Sequence, residues 1–396
     1  MPTMNVILSQ EKYLDQFLNN DKQINAIRIS LLTWFQDNGR HSIPWKLTAE
    51  GTVPTPNECL PVYPIWVAEV MLQQTQLKVA LPYWERWMLA FPSIDDLVVA
   101  DESETLLVWQ GLGYYSRVRR LHTSSKMLFS MIGPSRSTDS SRWPDDLNTW
   151  TSLPGIGRST AGSIISSAFN LPTAILDANV KRILVRLIGT SIPPERNSAR
   201  LWDCAVALLD PHRPRDFNQA LMDLGSTVCT NHKPICIQCP LKDYCVAYSL
   251  NEPTKFPAKL SVFSVSKFVI GIGLILNESN EVLIDKRLDH VKMGGMWEFP
   301  GGKQEKGEAI ETTISRELLE ELGVVVNVEK QLIAFEHLYS HQKLNFIVHL
   351  CSLVSGVPKP LSSQEVRWVK IQELSKYPFP KANLRIIAAL KTYLLL

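Results

Sequence analysis

Two carboxylates in the first half of the chain have the type and the setting needed to cleave a glycosidic bond. Glu69 lies inside the apolar stretch IWVAEVMLQQTQ, where a charged side chain is costly to bury. Burial raises the pKa of a carboxyl group, which can then donate a proton near neutral pH. Asp177 stands directly before an apolar helical run, which is also the ordinary position of a helix N-cap. One protonated and one ionised carboxyl group together suit glycosidic bond cleavage.

Four of the seven cysteines crowd into one short segment with the spacing C-x6-C-x2-C-x5-C. A tight cluster of thiols in a chain without an export signal predicts a metal centre rather than disulfides. Zinc ribbons usually contain two C-x2-C pairs, whereas this segment contains one. Four thiolates also have the number and softness that suit an iron–sulfur cluster. The clustered residues are Cys229, Cys236, Cys239 and Cys245.

Three glutamates of the second half lie at i, i+3 and i+4 in the helical pattern EAIETTISRELLEEL, so they share one helix face. Clustered carboxylates repel one another unless a hard cation gathers them, and Mg²⁺ that bridges to a diphosphate is the natural partner. A solvated acidic face is the alternative, but it leaves the fixed spacing G-x5-E-x7-R-E-L-x-E-E-x-G-V from Gly302 to Val324 without a reason. The three residues are Glu317, Glu320 and Glu321.

The segment LPGIG predicts a tight turn between two helical patterns. Gly155 and Gly157 permit positive φ and close approach, so that successive backbone N–H groups can face a phosphate. A helix that begins near Arg158 adds a favourable dipole. Residues 105–200 hold 12 basic and 5 acidic side chains, an excess that suits a nucleic-acid surface. A plain helix-joining turn is the alternative.

Two regions of different character must position these groups. Residues from about 22 onward place apolar side chains at helical spacing, as in AIRISLLTWF. From residue 267 onward, short β-type runs surround one helical pattern, which predicts an α+β fold. The expected fold class is therefore multidomain. We predict an all-α domain over 22–250 that includes the cysteine loop 229–245, a linker over 251–266, and an α+β domain over 267–396.

The composition is that of a globular protein: 396 residues, 45% hydrophobic and 20% charged, are enough for two or three cores. The sequence has no apolar run that could span a bilayer and no signal peptide, so we expect a cytoplasmic protein without a membrane partner. The net charge of +2 predicts no partner by itself. Nothing in the sequence requires more than a monomer.

In order along the chain, EVMLQQTQ, GLGYYSR, LPGIGRSTAG, LDANVKR and the four-cysteine segment resemble the motifs of MutY-type adenine DNA glycosylases. This family belongs to the helix-hairpin-helix/endonuclease III superfamily, and the resemblance covers about residues 25–250. It implies an all-α helix-hairpin-helix glycosylase fold with a [4Fe-4S] cluster on the four cysteines. It also implies base excision repair of double-stranded DNA, in which adenine mispaired with 8-oxoguanine or guanine is removed.

The resemblance assigns roles to individual side chains. Glu69 protonates the adenine ring, and Asp177 stabilises the positive charge that grows on the sugar. Gln74 and Tyr114 resemble the residues that push into the base stack while the adenine is flipped out. Asn179 resembles a partner that orients the catalytic groups. The family's DGN sequence is DAN here, so the backbone freedom of a glycine is lost while both polar side chains are kept.

Ser159 separates this chain from the similar endonuclease III family, which carries a lysine nucleophile at the corresponding place. A serine cannot form a Schiff base, so we expect a glycosylase that does not cleave the strand. Ser159 is expected at the DNA-facing turn with Gly155 and Gly157, and His232 and Lys233 of the cysteine loop are expected against DNA phosphate. A bifunctional glycosylase/lyase that acts on oxidised pyrimidines is the alternative.

The C-terminal region is similar to Nudix domains. MutY-type proteins generally end in a Nudix-like domain with a degraded catalytic box, whereas every fixed position of the box is satisfied here. The preceding MWEFPGGK is also similar to MutT-type 8-oxo-dGTP hydrolases. The resemblance implies that this domain recognises 8-oxoguanine. It leaves open a Mg²⁺ site on the three glutamates and a second activity, hydrolysis of 8-oxo-dGTP.

Two further segments bear on recognition of the oxidised base. Tyr339, Ser340 and His341 resemble the phenylalanine-serine-histidine motif with which MutY-type domains contact 8-oxoguanine. Asn383 falls where MutT-type enzymes read the base, although a turn residue is the plainer interpretation. A polar pocket would favour 8-oxoguanine through its N7–H donor. Two other functions stay open: a nucleotide-pool pyrophosphatase on a DNA-binding module, and a non-catalytic iron–sulfur DNA sensor.

Overall fold

The computed structural model describes residues 13–134, 140–258, 266–339 and 342–395. Its helices are α1 (Asp21–Asn38), α2 (Val62–Leu72), α3 (Leu77–Ala90), α4 (Ile94–Val99), α5 (Glu102–Trp109), α6 (Ser116–Ile132), α7 (Leu147–Ser152), α8 (Arg158–Phe169), α9 (Ala178–Ile188), α10 (Ser198–Leu208), α11 (Pro214–Thr227), α12 (Val246–Ser249), α13 (Ile310–Leu322) and α14 (Lys381–Tyr393). Its strands are β1 (Ser266–Ile275), β2 (Glu281–Lys286), β3 (Trp297–Glu298), β4 (Gly301–Lys303), β5 (Val325–Tyr339), β6 (Gln342–Ser355) and β7 (Glu365–Lys370). None of the described helices combines the length and the apolar character needed to cross a membrane.

The helices up to α12 precede all of the strands, which confirms the predicted fold class of an all-α part followed by an α+β part. Contacts between Cα atoms divide the chain into two compact units. The first comprises the described residues of Met1–Ala80, Phe91–Val98 and Thr123–Val262. The second comprises Leu81–Ala90, Val99–His122 and the described residues of Phe263–Leu396. The second unit therefore contains helical segments from the middle of the chain.

In the first unit, the sequence of α2 explains its position. VYPIWVAEVML is apolar on nearly every face, so the helix is buried on nearly all sides, and the side chain of Trp66 is fully buried. Helix α9 is bounded by standard caps: the side chain of Asp177 accepts the Val180 N–H at the start, and Gly189 adopts φ +73° at the end. These two helices position the two predicted catalytic carboxylates.

The second unit contains two sheets with the strand orders β4-β1-β6-β5 and β3-β2-β7. Strands β1 and β6 pair in parallel, whereas the other pairs are antiparallel. Helix α13 packs on β1 at two glycines. A Cβ atom on Gly271 would lie 2.9 Å from Ile314, and one on Gly273 would lie 2.5 Å from Leu318. The glycines therefore allow the close approach of the helix that carries Glu317, Glu320 and Glu321.

The predicted β-type runs lie in β1, β2, β6 and β7, and the predicted helical pattern lies in α13. Strand β5 was not predicted, because register shifts near its start break the alternation of apolar and polar residues. Helix α14 was not predicted either, since it follows directly after the proline-containing segment that ends at Pro380.

Candidate active site

Glu69 is half-buried in α2 and has an environment that favours its protonated form. Burial is the largest cause that raises the pKa of this carboxyl group to about 7. The Ser163 hydroxyl lowers it, repulsion by Asp177 raises it, and the charge of Lys46 lowers it. A carboxyl group with this pKa holds its proton in about half of the molecules at neutral pH and can serve as a general acid.

Asp177 is held in one orientation by its own helix. Its Oδ1 atom accepts a hydrogen bond from the Val180 N–H at 2.8 Å, and its Oδ2 atom accepts one from Asn179 Nδ2 at 3.0 Å. Asp177 is therefore both the N-cap of α9 and the residue predicted to be catalytic. Its charge acts on Glu69, so the structure brings the two predicted carboxylates together.

A row of hydrogen bonds continues from Asp177 into the cysteine segment. The Oδ1 atom of Asn179 accepts from Arg182 Nη2 at 2.8 Å, and the same nitrogen donates to the Gly225 carbonyl at 2.7 Å. Arg182 Nε donates to the carbonyl of Cys229 at 2.8 Å. Asn179 therefore orients Asp177 and is itself fixed by a buried arginine.

Sequence reasoning missed a buried ion cluster on the first unit. Asp223 is 1% exposed and accepts from Arg40 Nε at 2.7 Å and from Lys46 Nζ at 3.3 Å. Burial lowers the pKa of Lys46, whereas the charge of Asp223 raises it. Asp223 interrupts the apolar pattern QALMDLGS in the same way as Glu69 interrupts its own, and this signal could have found it. Lys46 gives no comparable signal.

The predicted glycine turn joins α7 to α8, and α8 begins at Arg158 as expected. Gly155 adopts φ +83°, whereas Gly157 is extended. A Cβ atom on Gly157 would meet no described atom within 4 Å, so this backbone faces open space. The Oγ atom of Ser159 accepts the Leu176 N–H at 3.0 Å. Ser159 thus holds the segment that leads into Asp177.

The two predicted intercalating residues share an uncommon backbone conformation. Gln74, two residues after α2, has φ +58°, and Tyr114, between α5 and α6, has φ +50°. Gln74 is exposed, and Tyr114 is 44% exposed. Positive φ is strained for residues other than glycine, and such strain clusters at functional sites. Both side chains are therefore presented to solvent by a strained backbone.

The four clustered cysteines line one recess, together with Arg186, Lys242 and several apolar residues. Arg186 Nη1 donates to the Sγ atom of Cys229 at 3.3 Å. Within the described ranges, no three His, Cys, Asp or Glu side chains converge closely enough to hold a single ion.

The three predicted glutamates of α13 do not meet at one point. Glu317 and Glu320 pair with Arg316 Nη1 at 3.0 and 3.3 Å, whereas Glu321 accepts the Gly301 N–H at 3.0 Å. Burial is the largest cause that raises the pKa of Glu321 to about 7. In this arrangement two carboxylates share ion pairs with one arginine, and the third accepts a hydrogen bond from the backbone. The Mg²⁺ site on them stays a prediction.

Two further acidic residues of this region were not predicted. Asp285 and Glu298 lie opposite each other on β2 and β3. Asp285 is buried, and its Oδ1 atom has no hydrogen-bond partner among the described residues. Burial and the nearby charges of Glu298 and Glu321 raise the pKa of Asp285. Asp285 stands at a regular position of the strand pattern VLIDKR, which gives no sign of its burial.

Of the residues predicted to read the oxidised base, Asn383 is described by the structure, whereas Ser340 and His341 are not. Asn383 is 5% exposed, and its Oδ1 atom accepts the Phe299 N–H at 3.3 Å. It therefore lies in the core of the C-terminal part, where it holds the segment before β4. Ser340 and His341 lie outside the described residues, directly after the end of β5 at Tyr339. Their contacts with 8-oxoguanine stay predictions.

Comparison with known proteins identifies both parts of the chain. Residues 67–203 match the HhH-GPD superfamily base excision DNA repair protein model, and residues 271–389 match the NUDIX domain model. A thermostable thymine-DNA glycosylase has a similar structure, with a TM-score of 0.50 at 23% identity over 58% of this chain and 99% of that chain. This likeness shows the fold alone.

Adenine DNA glycosylases are similar over most of the chain. The protein of Buchnera aphidicola subsp. Acyrthosiphon pisum (strain APS) is 32% identical over 330 residues, which are 83% of this chain and 86% of that protein. The protein of Mus musculus is 33% identical over 399 residues, 88% of this chain and 75% of that protein. The chain therefore belongs to the adenine DNA glycosylase family, and it is a DNA N-glycosylase whose HhH-GPD base excision repair domain is followed by a NUDIX domain.

Proposed function

We propose that this protein removes adenine that is mispaired with 8-oxoguanine, or with guanine, from double-stranded DNA. The observation that carries the proposal is the pairing of Glu69, whose carboxyl group has a pKa of about 7, with the fixed carboxylate of Asp177. Family membership supports adenine as the released base. A cytoplasmic monomer is part of the same proposal.

The proposed reaction is a hydrolysis in which Glu69 supplies the first proton. As the bond between the sugar C1′ atom and the base breaks, its electron pair stays on the base, and a ring nitrogen of adenine takes the proton of Glu69. The charge of Asp177 stabilises the positive charge that develops on the sugar. Water adds its hydroxyl to C1′, and its remaining proton restores Glu69. One water is consumed, and nothing is oxidised or reduced.

The DNA is held by groups outside this pair. The exposed backbone at Gly155 and Gly157, with the start of α8, offers N–H groups to a phosphate. Gln74 and Tyr114 fill the space that the flipped adenine leaves in the base stack, and their exposure on a strained backbone supports this role. Asn179 orients Asp177 through the hydrogen bond between their side chains.

Recognition of 8-oxoguanine is assigned to the C-terminal part. Ser340 and His341 contact the oxidised base of the pair, and Asn383 takes part in reading it. The support for Ser340 and His341 is the position of Tyr339, which directly precedes them in sequence. Tyr339 and Tyr115 lie in the same compact unit. Burial raises the pKa of Tyr115 to about 12, and the nearby Tyr339 adds to this effect.

The glycosylase is proposed to be monofunctional. Ser159 offers no amine at the place where strand-cleaving relatives carry a lysine, and its hydroxyl is engaged by the Leu176 N–H. Incubation with borohydride and a mispaired duplex should therefore leave the protein unattached to DNA. Efficient covalent trapping would favour the alternative of a glycosylase/lyase.

We assign a [4Fe-4S] cluster to the recess lined by the four cysteines. Four thiols around one recess, with a single C-x2-C pair in their spacing, suit a cluster better than a zinc ribbon. When bound, the cluster would fold the segment that carries His232 and Lys233 against DNA phosphate. The purified protein should contain stoichiometric iron and sulfide. A colourless protein with one zinc per chain would overturn the assignment.

A second activity, hydrolysis of 8-oxo-dGTP with Mg²⁺, is favoured by the complete Nudix box. Arg316 pairs with Glu308 at 3.0 Å and with Glu317 at 3.0 Å, so the fixed spacing of the box brings these side chains into contact. Turnover that is lost in Glu320→Gln would make this a two-activity enzyme. No turnover by a protein that still releases adenine would leave the second part a reader of DNA only.

The test of the proposed function is single-turnover base release from a panel of duplexes. Adenine opposite 8-oxoguanine and adenine opposite guanine should be released, whereas adenine opposite thymine should not. Release of an oxidised pyrimidine instead, with adenine untouched, would contradict the proposal. Equal release of adenine from all three duplexes would contradict the assignment of 8-oxoguanine recognition.

A further inference from the structure

Ser163 is a buried hydroxyl of α8 without an evident structural partner. It is 3% exposed, and its Oγ atom forms no hydrogen bond of normal geometry among the described residues. Other serines of the same helix are engaged: Ser159 Oγ accepts the Leu176 N–H, and Ser166 Oγ accepts from Asn218 Nδ2 at 2.8 Å. A buried unpaired hydroxyl costs stability, so its presence calls for a functional reason.

The packing of α2 against α8 places Ser163 opposite Glu69. At one end of the contact, Gln73 Nε2 donates to Thr160 Oγ1 at 3.3 Å. At the other end, the Leu60 N–H donates to the Ala168 carbonyl at 2.8 Å, so the two segments run antiparallel. Glu69 lies one helical turn before Gln73, and Ser163 lies about one turn after Thr160. The same two faces therefore bring the carboxyl and hydroxyl groups together.

The other groups that face Glu69 are already engaged. Asp177, at the start of α9, accepts hydrogen bonds from its own helix, and Lys46 donates to Asp223 of α11. Ser163 is the neutral donor of this set. The pKa of Glu69 reflects all four effects, since burial and Asp177 raise it while Ser163 and Lys46 lower it.

We propose that Ser163 is a positioning residue for the proton donor Glu69. As the proton leaves for adenine, the Ser163 Oγ–H donates a hydrogen bond to the carboxylate that forms, which orients this group and stabilises its charge. The hydroxyl keeps its own proton throughout, and no covalent bond of Ser163 changes. This inference rests on the proposed function of Glu69.

The test is the pH dependence of adenine release by full-length Ser163→Ala under single-turnover conditions. Donation to a carboxylate lowers its pKa, so removal of the donor should move the alkaline decline of the rate to higher pH. We expect the rate at about pH 8.5, divided by the plateau rate at mildly acidic pH, to rise roughly tenfold over that of the unchanged protein. The alanine protein should melt at the same temperature or above it, because a buried unpaired hydroxyl is removed.

Ser166→Ala is the matched control on the same helix. It deprives Asn218 Nδ2 of an acceptor, so the melting temperature should fall while the pH profile stays unchanged. Ser163→Thr keeps a hydroxyl and should keep the original profile. A Ser163→Ala profile that superimposes on the original, or an equal displacement in Ser166→Ala, would overturn the inference. Normal adenine release by Glu69→Gln would instead overturn the proposed function itself.

Discussion

At the scale of single residues, the reactivity proposed for Glu69 comes from its surroundings. A glutamate in water has a pKa of about 4.3 and would be ionised at neutral pH. Burial in α2 changes this, because the helix is apolar on nearly every face and leaves the carboxyl group little water. Ser163 and Lys46 oppose the effect of burial and keep the pKa near 7, where the group can both hold and release a proton.

The pH dependence of adenine release follows from this pKa. The proton donor must be protonated, and its raised pKa of about 7 means that this form is lost as the pH rises through 7. The single-turnover rate should therefore fall about tenfold per pH unit above that point. Rapid-quench assays between about pH 5 and pH 9 would measure it. A rate that stays constant up to pH 9 would be incompatible with Glu69 as the donor.

Removal of the buried charge of Asp223 should destabilise the protein. Asp223→Ala leaves Lys46 buried without its partner, which we expect to lower the free energy of unfolding by roughly 3–5 kcal/mol. Urea unfolding would measure the loss. Asp203→Ala is the control, since its pair with Arg200 is exposed and should contribute less than about 1 kcal/mol. Equal losses in the two variants would show that the buried cluster is not a stabilising feature.

Some site residues are visible in the sequence for a physical reason, and others are not. Glu69 and Asp223 each interrupt an apolar helical pattern, and such an interruption indicates a buried charge with a role. Ser163 is hidden, because a small hydroxyl fits the helical pattern of a core as well as alanine does. Lys46 is hidden because its partner Asp223 is distant in sequence.

At the scale of elements, α9 connects the proposed catalytic carboxylate with the cysteine segment. Its first residues orient Asp177, and its second turn carries Arg182, which donates to the carbonyl of Cys229. One turn later, Arg186 donates to the carbonyls of Thr230 at 2.7 Å and Asn231 at 3.0 Å. One helix therefore contacts both Asp177 and the cysteine segment.

Arg182→Ala should weaken both the orientation of Asp177 through Asn179 and the attachment of α9 to the cysteine segment. The change removes the donor of Asn179 Oδ1 and of the Gly225 carbonyl, and it leaves the Cys229 carbonyl with Arg186 Nη1 at 3.3 Å alone. We therefore expect a lower melting temperature and a single-turnover rate at least tenfold slower. Calorimetry and base-release assays would measure the two effects. Lys181→Ala, at the preceding position, should change neither by more than a small factor. A normal rate in Arg182→Ala would show that Asp177 is oriented without it.

The elements that the sequence predicts are those with an undisturbed period, such as α8 and α13. The register shifts of β5 hide that strand, and the close packing of α13 on Gly271 and Gly273 depends on contacts between residues far apart in the chain. Sequence spacing also places Glu317, Glu320 and Glu321 on one helix face. It could not show that Glu317 and Glu320 pair with Arg316 whereas Glu321 accepts the Gly301 N–H.

At the scale of the whole molecule, the segment that carries Tyr114 belongs to the same compact unit as the NUDIX domain. Two contacts hold this segment. The Phe379 N–H donates to Gln110 Oε1 at 2.8 Å, and Arg119 donates to Asp289 Oδ1 at 2.6 Å and to the Asp289 carbonyl at 2.8 Å. Tyr114 lies between Gln110 and Arg119 in sequence, so its position depends on the C-terminal part.

Charge reversal at Asp289 should therefore weaken the discrimination between mispairs. Asp289→Lys repels Arg119, and we expect the ratio of single-turnover rates for adenine opposite 8-oxoguanine and opposite guanine to fall about two- to fivefold. Addition of Arg119→Glu should restore the ratio only in part, because the new glutamate pairs with the introduced lysine but repels Glu102. Glu373→Lys, which reverses an exposed charge elsewhere in the unit, should leave it unchanged. An unchanged ratio in Asp289→Lys would show that the Tyr114 segment does not contribute to the discrimination between 8-oxoguanine and guanine.

In the proposed reaction, Glu69 donates the proton that allows adenine to leave. The most direct test is single-turnover release of adenine from a duplex with an adenine:8-oxoguanine pair, by the unchanged protein and by Glu69→Gln, with DNA binding measured on the same samples. Glutamine keeps the size of the side chain but cannot donate a carboxyl proton. The rate should fall by about 10²-fold or more while the affinity for the duplex is retained. Release at the original rate by Glu69→Gln would contradict the account.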